Sequence, residues 1–289
     1  MQKTSVSKRV LSFDILRIIA TFAIVMTHVS AVYVDGFPAN TWAFRLGNLF
    51  DSISRIGVPV FIMISGALML DENKPLDIKQ MLLYALRLFG LLMFWSVLYA
   101  LRYYVVMPLQ QSQAISIRTV LTAILFGHYH MWFLYMIIGL YLITPVLRLF
   151  IKKENKSHIL YFLVIAILVQ SAAPFVNFFC NRLVVEGDYL LTFTNKFSLS
   201  FISEFLTYYI LGWYLFTYKP EKKARTGIYI AGCLGFLATI LCSQFFTTDT
   251  FRAYNVFYAQ GILNVINGII VGKPAVEEKY ERYKEVYRQ

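Results

Sequence analysis

Residues 13–33 read FDILRIIATFAIVMTHVSAVY. The stretch is long and apolar enough for a membrane span, which takes about 20 residues. Yet it holds Asp14, Arg17 and His28. Ionisable groups in such a segment are costly in lipid and face a bundle interior or a watery cavity. Arg17 and His28 share one helix face, because eleven steps of about 100° make three turns plus roughly 20°. The rise between them is about 16 Å. Thr21 falls on the same stripe, and Asp14 sits one turn before Arg17. The pattern predicts a polar seam from one membrane surface to the middle of the bilayer or beyond.

Two readings of Arg17 are open. It snorkels to the headgroups with Asp14 neutralising it at i,i+3, or its planar guanidinium binds an oxyanion such as a phosphate. Snorkelling does not account for His28, which is too deep. A lone buried histidine is more often a satisfied structural group than a catalyst. The shared face with Arg17 turns the reading toward function, since an imidazole near neutral pH can accept the proton of an attacking hydroxyl.

The rest of the chain agrees with a membrane setting. Its 289 residues are 58% hydrophobic, with a mean hydropathy of +0.59. A soluble globule could not bury so much apolar surface. The expected fold is all-α: a polytopic bundle of transmembrane helices. No small-residue cleavage site follows the first apolar run, so the first helix is expected to stay as an anchor. The net charge of +11 does not point to nucleic acid, because Lys and Arg sit in short connections between apolar spans. Cys180, Cys233 and Cys242 make no metal-ligand spacing and no disulfide framework.

Eight spans are expected, near 13–33, 56–70, 81–101, 132–150, 158–175, 199–217, 227–246 and 255–271. With the N-terminus inside, 19 Lys and Arg fall on the cytoplasmic side and 7 on the outer side, while Arg17 lies within a span. This asymmetry places both termini in the cytoplasm. The long outer segments are 34–55, 102–131 and 176–198. Within them, ISIRTVLTAILFG (115–127) is apolar-periodic but too short to span. It reads as a helix on or dipping into the outer surface, ended by Gly127. Residues 1–272 are expected to form one transmembrane domain and 273–289 a charged, solvated cytoplasmic tail.

FDILR, with ten residues between Arg17 and His28, resembles the opening motif of the acyltransferase 3 family of integral membrane acyltransferases. GVPVFIMISGALML (57–70) resembles the family's second helix, with its Ser-Gly pair at Ser65 and Gly66. HYHMWFLYMIIGLYLITPVLR (128–148) resembles its His-x-Trp-Phe helix, with Pro145 at the far end. The resemblance covers roughly residues 9–220. The family usually has about ten spans, the later ones including another His-containing helix. A chain ending after eight reads as a short member or as one whose C-terminal part is lost or replaced.

The resemblance implies essential roles for Arg17 and His28. It also implies an acyl donor, acetyl-CoA, and an acceptor that is a cell-surface glycan or its lipid-linked precursor, as in the surface-polysaccharide O-acetyltransferase branch. His28 is then the candidate general base and Arg17 the candidate ligand for coenzyme A phosphates. Arg87, in ALRLFG, resembles a basic cluster of the family; it binds phosphate or anchors the span. Glu204 is a second intramembrane acid at a depth similar to His28; it orients His28 or is bonded to nearby backbone or hydroxyl groups. Arg55 reads as lying on the outer side, as an interfacial cap or a contact for a glycan or lipid phosphate. His128 and His130 flank Tyr129 before Trp132. They contact the acceptor sugar, with Trp132 stacking on a pyranose ring, or they belong to an aromatic belt. Ser65 and Gly66 read as close-packing residues, and His158 as structural. No metal and no nucleic acid is expected.

The function expected is an O-acyltransferase of the plasma (inner) membrane, moving acetyl from cytoplasmic acetyl-CoA to a glycan hydroxyl. The rival readings are a transporter or flippase of a lipid-linked sugar that uses the same seam, and an inactive, truncated relative.

Overall fold

The structure, a computed structural model, describes residues 11–169, 196, 205–218 and 221–246. Glu204, most of segment 176–198 and the expected span at 255–271 lie outside the described residues. Among the described residues every regular element is helical: α1 (Leu11–Gly36), α2 (Trp42–Ser54), α3 (Gly57–Met69), α4 (Ile78–Leu101), α5 (Met107–Gln110), α6 (Ile117–Phe126), α7 (Trp132–Phe150), α8 (Lys156–Ile167), α9 (Phe205–Thr217) and α10 (Lys222–Phe246). Four described stretches are long and apolar enough to cross a membrane: Leu11–Gly36, Trp42–Met69, Ile78–Gln110 and Ile117–Phe150. The chain divides into two compact units, residues 69–156 and the remainder.

In the first unit α1 packs against an antiparallel partner made of α2 and α3. Small residues set the distance. A Cβ at Gly57 would stand 2.9 Å from Ala20 O and 2.8 Å from Ile24 Cγ1, and one at Gly47 would stand 2.6 Å from Tyr33 Cβ. Between these points the Thr27 hydroxyl donates to Ser54 Oγ at 2.8 Å. Small side chains on facing helices allow the close approach that holds apolar helices together in lipid. Segment 34–55, expected as an outer connection, is therefore a correction: it is helical from Trp42 to Ser54 and leads into α3. Hydropathy missed it because Asn48, Asp51, Ser52 and Ser54 read as solvated, whereas all four are buried and hydrogen-bonded.

The α2–α3 run breaks at Arg55–Ile56. Pro59 explains the place: it has no N–H to offer the Arg55 carbonyl four residues back, and its ring crowds that oxygen. Further along, α3 crosses α9 at two glycines. A Cβ at Gly66 would collide with the Tyr209 carbonyl, and one at Gly212 with the Met63 carbonyl. The Ser-Gly pair of α3 is thus a packing element, as expected. Phe13 of α1 packs on Phe216 of α9 with ring centroids 5.1 Å apart.

In the second unit α4 packs on α6 and α7. Beyond its expected end near residue 101, α4 widens into a π turn over Arg102–Val106 and continues as α5. Pro108 supplies the cause, since it removes a helical N–H and displaces a carbonyl in the preceding turn. The expected helix at 115–127 is present as α6, capped by Ser116, whose Oγ accepts from Thr119 N, and ended by Gly127 at φ +66°.

The turn before α4 is clamped by α7. Arg148 donates to Met69 O at 2.8 Å and to Lys74 O at 2.7 Å, and the Lys153 N–H donates to Glu72 Oε1 at 2.6 Å. Hydrogen bonds from a charged donor contribute about 1.5–3 kcal/mol each. Arg148→Ala should therefore lower the thermal unfolding midpoint in detergent by several degrees, and an unchanged midpoint would show the clamp to be inert.

Candidate functional site

The seam read from the sequence is present on α1. Its packed face carries Phe13, Leu16, Ala20, Ala23, Ser30 and Val34. Arg17, Thr21, Ile24 and His28 lie on a stripe about 110° around the helix from the centre of that face. Arg17 Nη1 donates to Asp14 Oδ1 at 3.1 Å, and the two side chains are 43% and 20% exposed. The Asp14 pairing is thus real, yet it leaves nearly half of the Arg17 side chain open to a ligand. Thr21 adds less than expected, because its hydroxyl donates to Arg17 O at 2.8 Å within the helix. His28 is exposed on the stripe. One face thus presents a guanidinium and an imidazole, an anion ligand and a group able to move a proton.

Against the packed side of α1 lies a polar network that the sequence reading did not foresee. Arg55 Nε donates to Asp51 Oδ2 at 2.8 Å. Ser30 Oγ stands 3.4 Å from Asp51 Oδ1, and Ser54 Oγ donates to Asp51 O at 2.9 Å. Higher on α2, Asn48 Nδ2 donates to Ile240 O at 3.2 Å, and Ser243 Oγ donates to Asn48 Oδ1 at 2.6 Å, which ties α10 to α2. The signal was in DSISR (51–55): an acid and an arginine at i,i+4 pair on one helix face. Arg55 lies in the two-residue link between α2 and α3, opposite the Ile24–Thr27 stretch near the middle of α1.

In the second unit Arg87 is exposed on α4, with its Cζ 6.0 Å from the Tyr84 ring centroid. The histidines before α7 are drawn into one cluster. His128 Nδ1 and His130 Nδ1 are 2.7 Å apart, so one ring carries the proton that the other accepts. Tyr99 stacks on His128 at 4.7 Å and meets His130 edge-on at 4.9 Å, and Tyr103 lies 5.1 Å from His128. Tyr129 and Trp132 are exposed beside them. The cluster is an aromatic and imidazole surface, suited to a sugar ring as much as to a membrane interface. His158 is exposed in the first turn of α8, and Glu204 lies outside the described residues.

A family model described as an acyltransferase domain, Acyl_transf_3, matches residues 10–272. That range takes in the α1 seam, the α2–α3 break, the two crossing glycines and the His128–Trp132 cluster. Comparison with curated proteins and with solved structures finds no match.

Proposed function

The chain belongs to the acyltransferase 3 family of membrane acyltransferases, and from that premise we propose that it is an O-acetyltransferase acting on glycans. Acetyl-CoA donates the acetyl group from the cytoplasmic side. The acceptor is a hydroxyl of a cell-surface glycan or of its lipid-linked precursor. The helices form a bundle of eight spans in the plasma membrane, with both termini cytoplasmic.

One observation carries the reading: Arg17 and His28 share a face of α1 with a rise of about 16 Å between them, and both keep exposure there. Arg17 holds coenzyme A phosphates, and Arg87 adds positive charge for the same donor. His28 takes the hydroxyl proton as the acceptor oxygen bonds to the thioester carbonyl carbon, then returns it to the departing thiolate. Glu204 orients the imidazole. His130 and Trp132 hold the acceptor sugar, the ring of Trp132 offering a stacking face.

A second reading draws on the Arg55–Ile56 break, since transporters place their sites at broken helices. Mass spectrometry of surface glycans from cells with and without the gene separates the two. The O-acetyltransferase reading expects the same glycans to differ by the mass of one acetyl group. Loss of whole glycan units would favour transport instead.

Arg17→Lys keeps the charge but loses the planar fork. It should raise the KM for acetyl-CoA more than it lowers kcat. An unchanged KM would reduce Arg17 to an anchor.

A further inference from the structure

A cavity of about 590 Å³ lies within the second unit, between the turn that follows α3 and the link that follows α7. We propose that it is a binding site for a phosphate ester carried on an organic body. The inference goes beyond acyl transfer and does not depend on it.

Local hydrogen bonds build each wall. In the turn before α4, Lys74 N donates to Asp71 O at 3.2 Å, and Asn73 N and Nδ2 donate to Asp71 Oδ1 at 3.0 and 3.1 Å. In the link after α7, Ile151 N donates to Leu147 O at 2.8 Å, and Asn155 Nδ2 donates to Phe150 O at 2.8 Å. Arg148 and the Lys153 N–H tie the two walls together through Met69 O, Lys74 O and Glu72 Oε1. The cavity is thus formed before a ligand enters, which keeps the ordering cost of binding low.

Arg148, Lys152 and Lys153 line this cavity. Arg148 is half-buried, and both of its bonds go to neutral carbonyls, which orient the guanidinium without cancelling its charge. Among the described residues no carboxylate stands within ion-pair distance of it. Lys152 Nζ is 3.9 Å from Glu154 Oε1, with the two side chains 45% and 74% exposed. So loose a surface pair contributes little, and a more highly charged anion can displace it. Glu72, the other carboxylate of the lining, directs Oε1 at the Lys153 N–H. A fixed guanidinium beside an ammonium on a long stem suits phosphate, the first as a planar fork and the second as a point charge.

The volume points to more than a bare ion. Small-molecule sites measure about 300–1,000 Å³, and a phosphate group alone would fill a small part of this one. Leu70 and Ile151 give the lining an aliphatic side for the body of the ligand. Under the proposed topology the link after α7 is cytoplasmic. Two sources would present a phosphate ester there: the nucleotide end of coenzyme A and the headgroup of an anionic lipid.

The test titrates the purified full-length protein in neutral detergent with coenzyme A and, separately, with short-chain phosphatidylglycerol, by isothermal calorimetry. The variants are Lys152→Glu, Lys152→Ala and, as a control, Lys79→Glu, an exposed lysine of α4 outside the lining. Lys152 and Lys79 are surface side chains, so all three variants should keep the wild-type thermal midpoint. At least one probe should bind wild type, and its Kd should rise about tenfold or more in Lys152→Glu, as expected for the loss of one charge-assisted hydrogen bond. The rise should be smaller in Lys152→Ala and slight in Lys79→Glu. A rise for coenzyme A alone makes the cavity a donor subsite, and one for the lipid alone makes it a headgroup site. Binding of neither probe, or an unchanged Kd in Lys152→Glu, would overturn the proposal. So would an equal rise in Lys79→Glu, which would show attraction by diffuse surface charge. None of these failures touches the acyl-transfer reading, which is tested on glycans.

Discussion

His28→Gln is expected to lower acyl transfer by roughly 10²–10⁴-fold, the usual contribution of a positioned general acid–base group. Gln keeps hydrogen-bonding capacity at the ring position but cannot take up and return a proton. His28→Ala should give the same loss. Both variants should insert normally, because His28 lies on the exposed stripe of α1 and not on the face that meets α2 and α3. Transfer measured at matched protein level decides the matter. Near-full activity in the Gln variant would make His28 a structural group on a polar stripe.

Gly66→Ala is expected to disrupt the first unit. One methyl group there meets backbone, the Tyr209 carbonyl of α9, and not the movable end of a side chain. Tyr209, Ile62, Met63 and Ile64 around the crossing are fully buried, with 0–1% exposure. The helices would have to separate and lose that packing. Overpacking a tight core costs about 1–3 kcal/mol and occasionally more; a backbone collision belongs at the upper end or beyond. Gly212→Ala should behave alike, because its Cβ would meet the Met63 carbonyl of the same crossing. Gly90→Ala is the control, since a Cβ there has nothing within 4 Å. Thermal unfolding in detergent should rank Gly66→Ala and Gly212→Ala far below wild type and Gly90→Ala close to it. Equal midpoints for all would mean that the α3–α9 crossing is looser than its geometry implies.

Hydropathy and charge made most of the described helices legible. Expected spans near 13–33, 56–70, 81–101, 132–150, 158–175, 199–217 and 227–246 each coincide with at least part of a described helix. The short helix at 115–127 could be read from its apolar period and from Gly127, because a terminating glycine acts through local chemistry. The arginine–histidine face of α1 could be read from periodicity alone. What escaped was α2, where polar residues are paired inside the unit and so defeat a rule that equates polarity with exposure. With α2 went Asp51 and its pairing with Arg55. The π turn at 102–106 escaped too, because its cause, Pro108, lies beyond the apolar run that marked the span. The cluster at His128 and His130 was seen as a motif, but its Tyr99 and Tyr103 walls come from another helix and leave no spacing signal in the sequence.

The most direct test of acetyl transfer through the α1 seam uses inverted membrane vesicles bearing wild type or His28→Gln at equal levels. They are given acetyl-CoA labelled in its acetyl group, and label in the glycan fraction is followed over time. Label should accumulate in glycan with wild type and stay near background with His28→Gln. Label that enters glycan equally in both, or in neither, would contradict acyl transfer at this seam.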